Sequence, residues 1–90
     1  MKQIRHFIGG EFADSIDGRT FESISPIDNT AIARVAEGSA ADAGRAVAAA
    51  RDAFDGWARL NPSERKRILL RVADGIDARA EELAEWETRD

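Results

Sequence analysis

The sequence predicts an α+β chain: a hairpin and short strands over residues 1–38, followed by two or three helices over residues 39–90. Two observations predict it. Gly, Ser, Asp and β-branched residues in short runs give way near Ser39 to Ala, Arg, Glu and Leu with few breakers. At the same point the apolar spacing lengthens from the period of a strand to that of a helix. No internal repeat or low-complexity linker divides the two parts, so residues 1–90 read as a single segment.

Taken in order, Gly9 and Gly10 stand between Phe7-Ile8 and Glu11-Phe12. A glycine pair reaches the positive φ angles that a two-residue hairpin turn demands, which predicts a β-hairpin over residues 5–13. Residues 14–19 read as a loop closing on Asp17-Gly18, and Phe21 to Ile24 as a short strand ended by Ser25-Pro26. Asp28 and Asn29 supply turn chemistry, because both side chains bond nearby backbone and tolerate left-handed conformations. Ile32 to Ala36 is the next strand, stopped by Glu37-Gly38.

Ser39 followed by Asp42 matches the start of a capping box, so a helix begins there. Its positions Ala43, Val47, Ala50, Phe54 and Trp57 fall on one helical face. Asn61 and Pro62 mark a second start, the asparagine as cap and the proline at the first helical position. Leu69, Val72, Ala73, Ile76 and Ala80 form a second stripe expected to be buried, and Leu83 and Trp86 continue it beyond a bend near residues 77–79. Arg79 interrupts this seam, which disfavours a long coiled coil.

Composition narrows the function. Of 39 apolar residues 17 are alanine, and Phe, Leu, Ile and Val together number only 19 of 90, so the core available to this chain is small. With no cysteine, the chain can hold neither a disulfide, a thiolate zinc site nor a cysteine nucleophile, and its one histidine rules out multi-histidine metal sites. Thirteen basic against 17 acidic side chains give no nucleic-acid footprint, and no run approaches a membrane span or a secretory signal. A cytoplasmic protein is the expectation.

Candidate chemistry is sparse. His6 could be imagined with Asp14 or Asp17 and a serine, but a lone histidine in a strand is usually structural. Gly9-Gly10 is too short for a phosphate cradle, which needs a longer glycine loop entering a helix. Arg65, Lys66, Arg67 and Arg71 read as a solvated helix face, and Trp57 and Trp86 as core or interface residues rather than ligand platforms. The residues themselves identify no catalytic site.

The order of the motifs resembles one family closely. His6-Phe7-Ile8-Gly9-Gly10-Glu11-Phe12, Gly18-Arg19-Thr20-Phe21-Glu22, Ser25-Pro26-Ile27-Asp28 and Ile32-Ala33-Arg34-Val35-Ala36 look like the amino-terminal end of NAD(P)-dependent aldehyde dehydrogenases. So do Ala46 to Phe54 with Trp57, the Pro62-Ser63-Glu64-Arg65 start, Leu83-Ala84-Glu85, and Glu87-Thr88-Arg89-Asp90. Within the family the chain is most similar to betaine aldehyde and hydroxymuconic semialdehyde dehydrogenases. It departs in having Ser25 where asparagine usually precedes the proline, and Asp28-Asn29-Thr30 where a glycine turn is common.

The resemblance implies an α+β piece of an α/β, Rossmann-like fold, the N-terminal part of a cofactor-binding domain. It implies an oxidoreductase that converts an aldehyde to a carboxylic acid with NAD or NADP, by thiolate attack, hydride transfer and thioester hydrolysis. The family's nucleophilic cysteine, glutamate base, oxyanion-hole asparagine and dinucleotide-binding glycines all lie beyond residue 90. No catalytic or cofactor-binding residue is therefore expected in this chain, which should be inactive alone. Its partner would be the remainder of the dehydrogenase chain, in a homo-oligomer, with no nucleic acid and no membrane involved. By resemblance, backbone oxygens of Ser23 and Ile24 and the Asp90 carboxylate would hold a monovalent cation, K or Na; the alternative is that Asp90 frays. A different class of reading is a free-standing acidic α+β module that binds a partner protein through an exposed helix stripe.

Overall fold

The computed structural model describes all 90 residues. Five short strands precede three helices: β1 Lys2–Ile4, β2 His6–Ile8, β3 Glu11–Ala13, β4 Thr20–Ile24, β5 Ala31–Ala36, α1 Ala40–Arg59, α2 Pro62–Ala78 and α3 Ala80–Arg89. β2 and β3 form the expected hairpin, with His6 opposite Ala13 and Phe7 opposite Phe12. Gly9 (φ 61°) and Gly10 (φ 80°) make its two-residue turn. The Phe7 and Phe12 rings meet edge to face, 5.0 Å between centroids, an arrangement that aromatic quadrupoles favour.

The second sheet has the order β1-β5-β4, with β1 parallel and β4 antiparallel to β5. β1 is absent from the sequence-based prediction, because Lys-Gln-Ile offers no apolar alternation and its pairing partners lie about 30 residues away, at Ala33 to Val35. Between β4 and β5 the chain turns as Asp28 and Asn29 predict. Asn29 is left-handed (φ 60°), and Asp28 accepts the Thr30 hydroxyl (2.7 Å) and amide (3.1 Å). These two bonds, the hydroxyl first, hold the Asp28 carboxyl below its ordinary value.

α1 opens with a complete capping box: Ser39 Oγ accepts the Asp42 amide and Asp42 accepts the Ser39 amide. Asp42 does more than cap. Only 3% exposed, it also accepts the Ile16 amide at 3.0 Å and thereby pins the 14–19 loop to the helix start. Its carboxyl is held below the ordinary 3.8, first by the Ser39 amide against the opposing effect of burial, then by the Ser39 hydroxyl, the Ile16 amide and His6. A carboxyl lowered on folding stabilises fully above 3.8, and that contribution disappears as pH falls through the lower folded value. Acidification below about pH 4 should therefore loosen the first turn of α1, and Asp42→Asn should remove this acid step from the helical circular dichroism. Ser39→Ala should cost about 1 kcal/mol of α1 stability. An unchanged acid step in Asp42→Asn would assign it to another carboxyl.

Three expectations need correction. The α2 stripe forms one face, but it is not buried: Leu69, Val72 and Ile76 are each more than half exposed. Arg65 is not a freely solvated cation, since its guanidinium donates to the Ala58 and Leu60 carbonyls and closes the C-terminal end of α1. The bend falls at Arg79, which ends α2 and precedes α3, so Ala80 begins α3 rather than ending the α2 stripe. Ala33 is the only buried apolar residue. No helix is long and apolar enough to cross a membrane.

Candidate functional site

Cross-strand partners in a sheet share a face. One face of β1-β5-β4 accordingly carries Lys2, Ala33 and Ser23 in one row and Ile4, Val35 and Phe21 in the next. With Trp86 of α3 and Asp90 just beyond it, these side chains line an open, mostly apolar cavity of about 930 Å³. Asp90 follows the last turn of α3, where its amide donates to the Trp86 carbonyl at 3.0 Å. Its carboxylate accepts a short hydrogen bond from Ser23 Oγ, a contact between residues 67 positions apart.

The structure thus brings together two of the three residues singled out in the sequence. Ile24 follows Ser23 across an irregularity in the β4–β5 register, where Ser23 pairs with Ala33 and Ile24 with Ala31. Such a bulge redirects local backbone groups. A carboxylate together with backbone carbonyls would be an all-oxygen donor set of the kind a hard cation takes. The chain gathers no cluster of three or more His, Cys, Asp or Glu side chains, so transition-metal chemistry has no foothold. Lys2 and Ala33 were not singled out in the sequence. The i, i+4 spacing of Trp86 and Asp90 was the one available signal that these two share a helix face.

His6 is not brought to Asp14 or Asp17. Asp14 pairs with Arg5 at 2.8 Å and Asp17 with Arg19 at 3.1 Å. His6 instead turns its buried Nε2 toward Asp42, 3.8 Å away and beyond hydrogen-bonding distance. Ser39 Oγ bonds the same carboxylate, so the acid rather than the imidazole sits in the middle. That order cannot relay a proton from a serine nucleophile. Nor do these residues fit a dinucleotide, because Gly9-Gly10 turns between two strands instead of leading into a helix N-terminus.

Residues 12–90 match the aldehyde dehydrogenase family, and the chain belongs to it. Among curated relatives, 2-hydroxymuconic semialdehyde dehydrogenase of a Pseudomonas species is 50% identical over the whole chain, which covers 19% of that protein. Among solved structures, HpcC from Thermus thermophilus superposes with a TM-score of 0.95 at 43% identity, covering 99% of this chain and 17% of that one. The NAD+ complex of an aldehyde dehydrogenase from Bacillus cereus gives 0.94 at 40% identity, covering 99% and 18%. The chain therefore spans less than a fifth of the length of these relatives.

Proposed function

We propose that residues 1–90 are the N-terminal segment of an NAD(P)-dependent aldehyde dehydrogenase, an outer part of its cofactor-binding domain that supplies no reacting group. The match along essentially the whole chain to much longer dehydrogenases carries this reading. The exposed α2 stripe and the open sheet face agree with it, since both offer apolar surface for the remainder of the chain to cover. The complete enzyme would oxidise an aldehyde to the acid and assemble as a homo-oligomer. NAD is favoured over NADP by the Bacillus cereus relative's complex. A free-standing interaction module is disfavoured, because the family match leaves no part of the helical half over for a separate role. The test is a chimera in which this chain replaces the matched segment of the Bacillus cereus enzyme; NADH formation from an aldehyde should survive the exchange.

Within that reading, Ser23 and Ile24 carbonyls and the Asp90 carboxylate hold K or Na. In the chimera, melting temperature in potassium or sodium chloride should exceed that in choline chloride at equal ionic strength, because screening acts alike on all three. Asp90→Ala should abolish the difference. Equal cation dependence in both proteins would reject the site.

A further inference from the structure

α3 meets the Lys2–Ala33–Ser23 row at both of its ends. At one end the Lys2 ammonium stands 4.6 Å from the centroid of the Trp86 ring. At the other, Ser23 donates to Asp90, one helical turn beyond Trp86. Ala33 lies between them in the row, 1% exposed. Trp86 is the only residue of α3 that is not exposed, and the Arg89 guanidinium lies 5.7 Å from the same ring.

These contacts are unequal. A hydrogen bond at an exposed helix end gains little over one to water, and the last residue of a helix frays unless something else ties it down. An indole that is partly buried against a sheet and faced by cations combines apolar burial with attraction to its ring face. We infer that Trp86 is the positioning residue for Asp90: clamped by Lys2 and Arg89, it seats the last turn of α3 across the Lys2–Ala33–Ser23 row and so sets the Asp90 carboxylate against Ser23.

The consequence for cation binding rests on the reading proposed above, but the seating does not, and the two are tested separately. The chain contains no cysteine, so in the chimera proposed above, with the host enzyme's own cysteines replaced by serine because activity is not the readout, Ser23→Cys with Asp90→Cys creates a unique thiol pair that has no carboxylate to bind a cation. Its effective concentration for disulfide closure is measured in a glutathione buffer, against the same protein in guanidinium. Glu22→Cys with Arg34→Cys, direct partners on β4 and β5, serves as the control for the sheet. The Ser23/Asp90 pair should close more readily than its denatured reference. Trp86→Leu, which keeps an apolar side chain but no ring, should lower that advantage about tenfold or more. Trp86→Phe should retain most of it, and the control pair should respond to neither. The inference is overturned if closure equals the denatured reference, if Trp86→Leu leaves it unchanged, if Phe fails with Leu, or if both pairs fall together. No potassium or sodium preference in the chimera that keeps Ser23 and Asp90, with closure of the thiol pair intact, would instead reject only the cation site.

Discussion

Given NAD+ and an aldehyde, the purified 90-residue chain should show no nicotinamide reduction above a matched blank. An aldehyde carbon becomes a hydride donor once a nucleophile has added to it, and this chain offers none that is activated. It has no cysteine. Ser15 and Ser25 are buried in loop structure, the first donating to the Arg19 carbonyl and the second accepting the Ile27 amide. The single histidine faces a carboxylate rather than a hydroxyl. On the reading proposed above the chain supplies neither nucleophile, base nor dinucleotide cradle, so the whole acceleration of such an enzyme, on the order of a million-fold or more, should be missing. Turnover that persists through repurification would contradict this.

The second large effect concerns folding. The chain exposes 7158 Å², whereas a compact protein of its mass exposes about 5,200 Å². Its radius of gyration is 16.5 Å, against about 12 Å for a globule of this length. Each 100 Å² of apolar surface left in water forfeits about 2.5 kcal/mol, and a typical domain is stable by only about 5–15 kcal/mol. A few hundred Å² of such surface is enough to decide the outcome, and Leu69, Leu70, Val72, Ile76, Val47 and Phe54 are all more than half exposed. Heating should therefore give a broad, weakly cooperative loss of circular dichroism, with strong binding of a dye for apolar surface at room temperature. A sharp transition from a monomer that binds no dye would contradict it.

What was legible in the sequence follows from how local each signal is. The Gly9-Gly10 turn, the Asn29 left-handed residue, the Ser39–Asp42 box and the Asn61-Pro62 start each depend on a few neighbouring residues, and each stands where expected. β1 was not legible, since three mostly polar residues become a strand only by pairing with Ala33 to Val35. The second role of Asp42 was hidden for the same reason, as the Ile16 amide it accepts lies 26 residues away. Burial of the helix stripes misled because periodicity identifies a face without saying what covers it, and here nothing within the 90 residues does. For the candidate site, Ser23, Ile24 and Asp90 came from family resemblance. The structure adds the Ser23–Asp90 contact and the Lys2–Trp86 stack beside it, which depend on how α3 lies over the sheet and leave no local pattern.

The central claim is that these residues are a structural segment of a dehydrogenase, inert alone and competent when the rest of the enzyme covers them. Its most direct test is the rate of NADH formation by three forms of the Bacillus cereus enzyme: intact, with the matched segment deleted, and with this chain in its place. Because the segment contributes packing and no reacting group, the chimera should work within about tenfold of the intact enzyme, a loss of no more than about 1.4 kcal/mol in the barrier, while the deletion should be inactive. A chimera no more active than the deletion would contradict the claim.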